Sequence, residues 1–202
     1  MGIEVTYRRL KKAKWTRLQK DRKKASSFLF SFLPGLDVAA ASDLLSNPEL
    51  LESKCDDILA AMENAENDPT RVDLEKHWHA LHFLLSGDSS MNPEHMPEEP
   101  LHNVVLGGHP TKFKGGYGPV RCFEVDEVRD IARALSRISV NDLRRGFSAR
   151  AFNDEEIYPN PRPGGWSCRE VEGVFQVFLS SLDFLKTQPQ PARSFSFMPH
   201  DR

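Results

Sequence analysis

One run constrains the fold of this chain more than any other: Asp73-Leu74-Glu75-Lys76-His77-Trp78-His79-Ala80-Leu81-His82-Phe83-Leu84-Leu85-Ser86-Gly87. It is long for a strand, and it holds no proline, no internal glycine and no β-branched residue, so it predicts a helix. Leu74, Trp78, Leu81 and Leu85 fall at i, i+4, i+7 and i+11 and make one apolar stripe. Phe83 and Leu84 lie on other faces, which implies burial on several sides. Asp73 suits the N-cap, and Gly87 stands where a left-handed residue ends a helix. A helix of this kind needs other elements packed around it.

The rest of the chain supplies them. At 202 residues it suits one domain spanning 1–202 with a substantial core, and 39% hydrophobic with 28% charged residues is a globular composition. No apolar run reaches the roughly 20 residues that span a bilayer. The N-terminus lacks a leader pattern, which places the expected site of action in the cytoplasm with no membrane partner. Residues 1–6 fit the loose N-myristoylation pattern, but a strand accounts for the same residues. Three scattered cysteines, Cys55, Cys122 and Cys168, without a C-x-x-C, argue for reduced thiols over a disulfide framework or zinc knuckle.

Charge is uneven. From Arg8 to Lys24 there are ten Lys or Arg and one acid, whereas from Asp37 to Glu75 there are eleven acids and two bases. Such segments can dock on one another, within the chain or across a homodimer. The basic segment also suits nucleic-acid phosphates or a protein partner. No aromatic-rich RNA-binding signature or helix-turn-helix pattern accompanies it, so a solvated face is preferred over a nucleic-acid role.

Along the chain, Ile3, Val5 and Tyr7 alternate as a first strand. Helices are expected from Leu10 toward Leu33, over 37–45 and over 48–64. A loop follows from Ser86 to Pro100, then glycine-rich turns at Gly107-Gly108 and Gly115-Gly116-Tyr117-Gly118, and a strand over 120–123. Further helices are expected over 124–138 and 139–147, the second with Ser139 as N-cap, and from Ser167 to Lys186. Asp154-Glu155-Glu156 reads as a solvated helix start. Phe195 and Phe197 alternate with serines as a closing strand. The sum is an α+β domain, mostly helical around a small sheet of about three strands.

Two places could carry chemistry. His77, His79 and His82 give H-x-H-x-x-H, and at 3.6 residues per turn His79 and His82 lie about 60° apart on the helix while His77 points elsewhere. A zinc site would need a third ligand, for which His95, His102, His109 and Glu75 are the candidates. Without H-E-x-x-H or an acid between the histidines, no metal and no cofactor is expected, and buried structural histidines are the simpler reading. The glycines at Gly107, Gly108 and Gly118 allow close backbone approach to a ligand, with Arg121 or Lys114 to neutralise an anion. Neither nucleotide-binding glycine motif is present. No G-x-S-x-G occurs, and Cys55 and Cys122 sit among apolar neighbours that disfavour a thiolate.

The central W-H-A-L-H-F-L-L-S-G run, Leu106-Gly107-Gly108, Tyr117-Gly118-Pro119-Val120-Arg121, Glu127-Val128 and Ile157-Tyr158-Pro159 occur in this order and span nearly the whole chain. In these pieces the chain resembles the YfbM-like family of bacterial proteins of unknown function. The resemblance implies an α+β fold and bacterial origin and carries no activity with it. The residues themselves favour a binding or interaction module over an enzyme. Its pocket is expected where Trp78, His79 and His82 meet Gly107, Gly108, Tyr117, Gly118 and Arg121, facing a small ligand or a protein partner. A hydrolase using His79 and His82, with or without a metal, is the first alternative. Partner binding through the basic N-terminal helix is the second.

Overall fold

The computed structural model describes residues 5–21, 25, 68–91, 99–115, 118–161, 164–186 and 192–197. The helices expected over 37–45 and 48–64, the aromatic residues 28–33 and Cys55 lie outside them. The chain divides into two compact units, Met1–Lys12 with Thr70–Arg202, and Ala13–Pro69. The described part of the second is chiefly helix α1 (Lys12–Lys20), with Trp15 and Leu18 buried and Lys14, Arg17 and Lys20 exposed.

In the larger unit, β1 (Val5–Lys11), β2 (Arg71–Glu75), β3 (His109–Gly115), β4 (Gly118–Phe123) and β5 (Ala192–Phe197) form one antiparallel sheet. The order across it is β2-β1-β5-β4-β3. The expected N-terminal strand, the strand over 120–123 and the closing strand are its three inner members, and β2 and β3 add the two edges. β3 is hard to read because Pro110 opens it and its pairing slips between Pro110 and Lys114. An edge strand tolerates both features, and its exposed Lys112 and Lys114 flank a buried Phe113 in the alternation a half-buried strand requires.

The central helix is shorter than its apolar stripe suggests. Residues 71–75 pair with β1 in the sheet, and α2 runs from Trp78 to Ser86. Glu75 has φ +49, a value no α-helix admits, so strand and helix are separated there. Asp73 is therefore not the N-cap; its carboxylate accepts from the Thr6 hydroxyl and the Arg71 guanidinium on the sheet. Leu74 is fully buried, which is why it continues the helical stripe although it belongs to a strand. Gly87 ends α2 at φ +72, its N–H donating to the Phe83 carbonyl at 2.8 Å.

After α2 come α3 (Asn103–Leu106), α4 (Val125–Leu135), α5 (Val140–Gly146), α6 (Ala149–Asp154) and α7 (Glu172–Lys186). Ser139 caps α5 as its sequence predicts, accepting from the Asp142 N–H at 3.1 Å while Asp142 accepts from the Ser139 N–H at 2.8 Å. Asp154-Glu155-Glu156 stands at the end of α6, not at a helix start, because Ser148 takes the N-cap and Glu156 turns out of the helix at φ +50. The last helix begins at Glu172 and not at Ser167, whose side chain bonds Glu170 and the Arg169 N–H in a preceding turn.

α7 packs on β2, α2 and α4. The core between helices and sheet holds Val5, Leu74, Trp78, Leu81, Leu135, Phe152, Ile157 and Phe178. Tyr7 enters it from β1, edge-on to Phe123, and its hydroxyl donates to the buried Val104 carbonyl. Phenylalanine at position 7 keeps the ring and orphans that carbonyl. Tyr7→Phe is expected to lower the unfolding free energy in urea by about 1–3 kcal/mol, and an unchanged midpoint would deny the bond a role.

Candidate functional site

Two elements carry the histidines the sequence singles out. His79, on the first turn of α2, is 2 % exposed, and both its ring nitrogens are engaged. Nδ1 accepts from the Tyr158 backbone N–H at 3.0 Å, so the ring proton sits on Nε2, which donates to the Ser89 carbonyl at 3.0 Å. His79 thus joins α2 to the loop after it and to the turn after α6. Burial holds its pKa below the ordinary histidine range, against the opposing pull of the Ser89 carbonyl and the Asp88 carboxylate. It presents neither lone pair nor proton to a substrate unless one of these bonds breaks. Trp78, stacked on His79 and tilted against Tyr158 at 5.9 Å, is buried with it.

His82 is buried like His79 but differs in its bonding. Its side chain is fully buried, and neither Nδ1 nor Nε2 has a hydrogen-bond partner among the described residues. Its ring meets that of His102, which precedes α3, edge to face at a centroid distance of 6.5 Å. Burial lowers the His82 pKa to about 4; Asp88 opposes the shift, and His79 and His102 add to it. His102 Nδ1 lies 3.6 Å from a Glu99 carboxylate oxygen. His77 stands apart, 3.8 Å from Glu75, with its ring against Gly173 of α7.

The glycine turn lies next along the chain. Gly108, at φ +77, passes so close to β4 that a Cβ would come within 3.0 Å of the Cys122 carbonyl. Arg121 reaches across from β4, donating from Nε to the Gly107 carbonyl at 2.8 Å and from a terminal nitrogen to that of Gly108 at 2.6 Å. These glycines and this arginine hold the α3–β3 turn on the sheet. Gly118, at φ +142, opens β4, and a Cβ there would meet nothing within 4 Å. Tyr117 lies outside the described residues, as does His95.

The structure gives these side chains different roles. His79 is a bracket, His82 is an unpaired buried imidazole, and Arg121 clamps a turn. His102, the side chain that faces His82, appears in the sequence only as a metal candidate. Among the described residues no three His, Cys, Asp or Glu side chains gather as a metal site. His109 instead lies 3.4 Å from Glu127 on the exposed start of α4. The partners of His79 could not be read from residue types, because both are main-chain groups. No described helix is long and apolar enough to cross a membrane.

The family described as "Domain of unknown function (DUF1877)" matches residues 1–187. Protein YfbM of Escherichia coli (strain K12) is 33% identical over 136 residues, 66% of this chain and 75% of that protein. The crystal structure of a protein of unknown function, YfbM from Escherichia coli, aligns over 96% of this chain and 99% of that one with a TM-score of 0.56. At 20% identity over that alignment, the structural likeness concerns the fold.

Proposed function

This chain belongs to the DUF1877 family of YfbM-like proteins, and on that premise we propose that it is a cytoplasmic binding module and not a catalyst. Its contact with a small ligand or a protein partner lies at His82, midway along α2. One observation carries the reading: His82 is fully buried and neither ring nitrogen is partnered among the described residues. Buried polar groups in native folds are nearly always paired, so a ring left open marks a place that another molecule completes. The enzymatic alternative loses half of its histidine pair, since His79 is bonded at both nitrogens to the main chain.

Native mass spectrometry of protein purified without a tag tests the reading. Wild-type protein is expected to carry a bound small molecule or a second chain that denaturation releases. His82→Phe, which fills the same volume without the nitrogens, is expected to lose it. Bare, identical masses for both proteins, with only a shift in melting temperature, would leave His82 a packing residue.

The basic segment supports a second reading, because Lys14, Arg17 and Lys20 on α1 are all exposed. Partner binding through that face requires an affinity that falls steeply with salt and is lost when Arg17 and Lys20 are reversed in charge.

A further inference from the structure

The His82–His102 contact joins two segments held with different firmness. α2 is anchored by the two His79 bonds and by the buried Trp78, Ala80 and Leu81. α3 has only four residues, and residues 100–103, which lead into it, are half-buried. Val104, Val105 and Leu106 are buried, the Tyr7 hydroxyl donates to the Val104 carbonyl, and Arg121 holds the Gly107 carbonyl just after the helix. We propose that the two rings form an acid-sensitive latch: when His82 takes up a proton, residues 99–106 release from α2 while the sheet and α7 stay folded. The proposal rests on the same unpartnered ring as the binding reading and concerns the chain with no molecule bound there.

Burying a neutral imidazole without partners is costly, and burying an imidazolium, with two N–H donors and a charge, is far costlier. Among the described residues neither His82 nitrogen faces an acceptor. The charged ring must reach water, and residue 102 contributes part of its cover. His102 reinforces the effect, because its ring lies against His82 and disfavours a charge there. The other titratable groups that act on His82 are His79 on its own helix, which opposes the charge, and Asp88 in the following loop, which favours it. Burial outweighs Asp88, and the ring is held at about 4 against its ordinary 6.5.

The direction of the pH effect follows from that order. A histidine whose pKa is lower in the closed state stabilises that state fully above pH 6.5, and the contribution is lost as pH falls toward about 4. If His82 regains its ordinary value once uncovered, the opening constant rises roughly tenfold between pH 6.5 and pH 5.

Amide hydrogen exchange on the full chain, corrected for the intrinsic pH dependence of exchange, tests the latch. The amides to follow are those of Asn103, Val104 and Gly107, whose bonds close the turns around α3. They are expected to lose protection roughly tenfold between pH 6.5 and pH 5, while amides of β1 and β4 keep theirs; in His82→Phe the pH dependence disappears. If that variant does not fold, imidazole resonances of the wild-type protein decide the matter, because the loss must track protonation of His82. Protection lost only with the whole fold, an unchanged pH profile in His82→Phe, or a loss out of step with His82 protonation would overturn the proposal.

Discussion

Replacing His79 by leucine is expected to lower the unfolding free energy by about 2–5 kcal/mol, since it orphans two groups at once. The Tyr158 N–H loses its acceptor at 3.0 Å and the Ser89 carbonyl its donor at 3.0 Å. Each unsatisfied buried group costs about 1–3 kcal/mol, whereas the leucine itself suits the apolar site. Asparagine and glutamine separate the two bonds. An asparagine side-chain oxygen can occupy the place of Nδ1 and keep the Tyr158 bond, and a glutamine amide can occupy the place of Nε2 and keep the Ser89 bond. Both variants should therefore fall between wild type and His79→Leu in urea unfolding at pH 7.5. If the three variants are equally unstable, the ring contributes by its shape and its stacking on Trp78, and the two bonds add nothing.

That result would also bear on how a sequence motif is read. H-x-H-x-x-H brings His79 and His82 to neighbouring positions on one helix, and that part was legible from periodicity alone. What each ring does depends on chain far away in sequence: the turn at Tyr158, the loop at Ser89 and the approach of His102. Two of those partners are main-chain groups, which any residue type supplies. The apolar stripe misplaced the helix start for a related reason. Leu74 is buried whether it belongs to a strand or a helix, and only pairing with β1 and the positive φ of Glu75 decide between them. Two signals that act within a few residues held, whereas the helix starts read at Asp73 and Ser167 did not. Ser139 with Asp142 at the start of α5, and Gly87 at the end of α2, stand where their chemistry requires. The α+β fold followed from such local signals together with the alternation of Val5 and Tyr7. The sheet edges did not, because Pro110 and the irregular pairing of β3 disguise its period of two.

The other large effect is expected at Gly165, in the turn that carries Trp166. Its φ is +77, and a Cβ added there would stand 2.3 Å from Asn153 Oδ1. Asn153 cannot withdraw freely. Its Oδ1 accepts from the Trp166 N–H at 2.7 Å and its Nδ2 donates to the Trp166 carbonyl at 3.2 Å. Trp166 in turn donates from its indole to the Ile157 carbonyl at 2.6 Å and packs edge-on against Phe152. Ile157 immediately precedes Tyr158, so the strain would reach the group that His79 holds. An alanine pays about 1–2 kcal/mol for a left-handed backbone, and loss of the Asn153 bonds adds about 1–3 kcal/mol, so Gly165→Ala should destabilise by about 2–5 kcal/mol. Gly164→Ala is the internal control: at φ +103 its Cβ would meet nothing within 4 Å, so it carries the backbone strain alone. Asn153→Ala removes the collision, and in that background Gly165→Ala should cost only the strain. A double-mutant cycle is therefore expected to return a coupling of about 1–3 kcal/mol between positions 153 and 165. Additive effects, or equal losses at Gly164 and Gly165, would mean that the Asn153 bracket does not hold Trp166 in place.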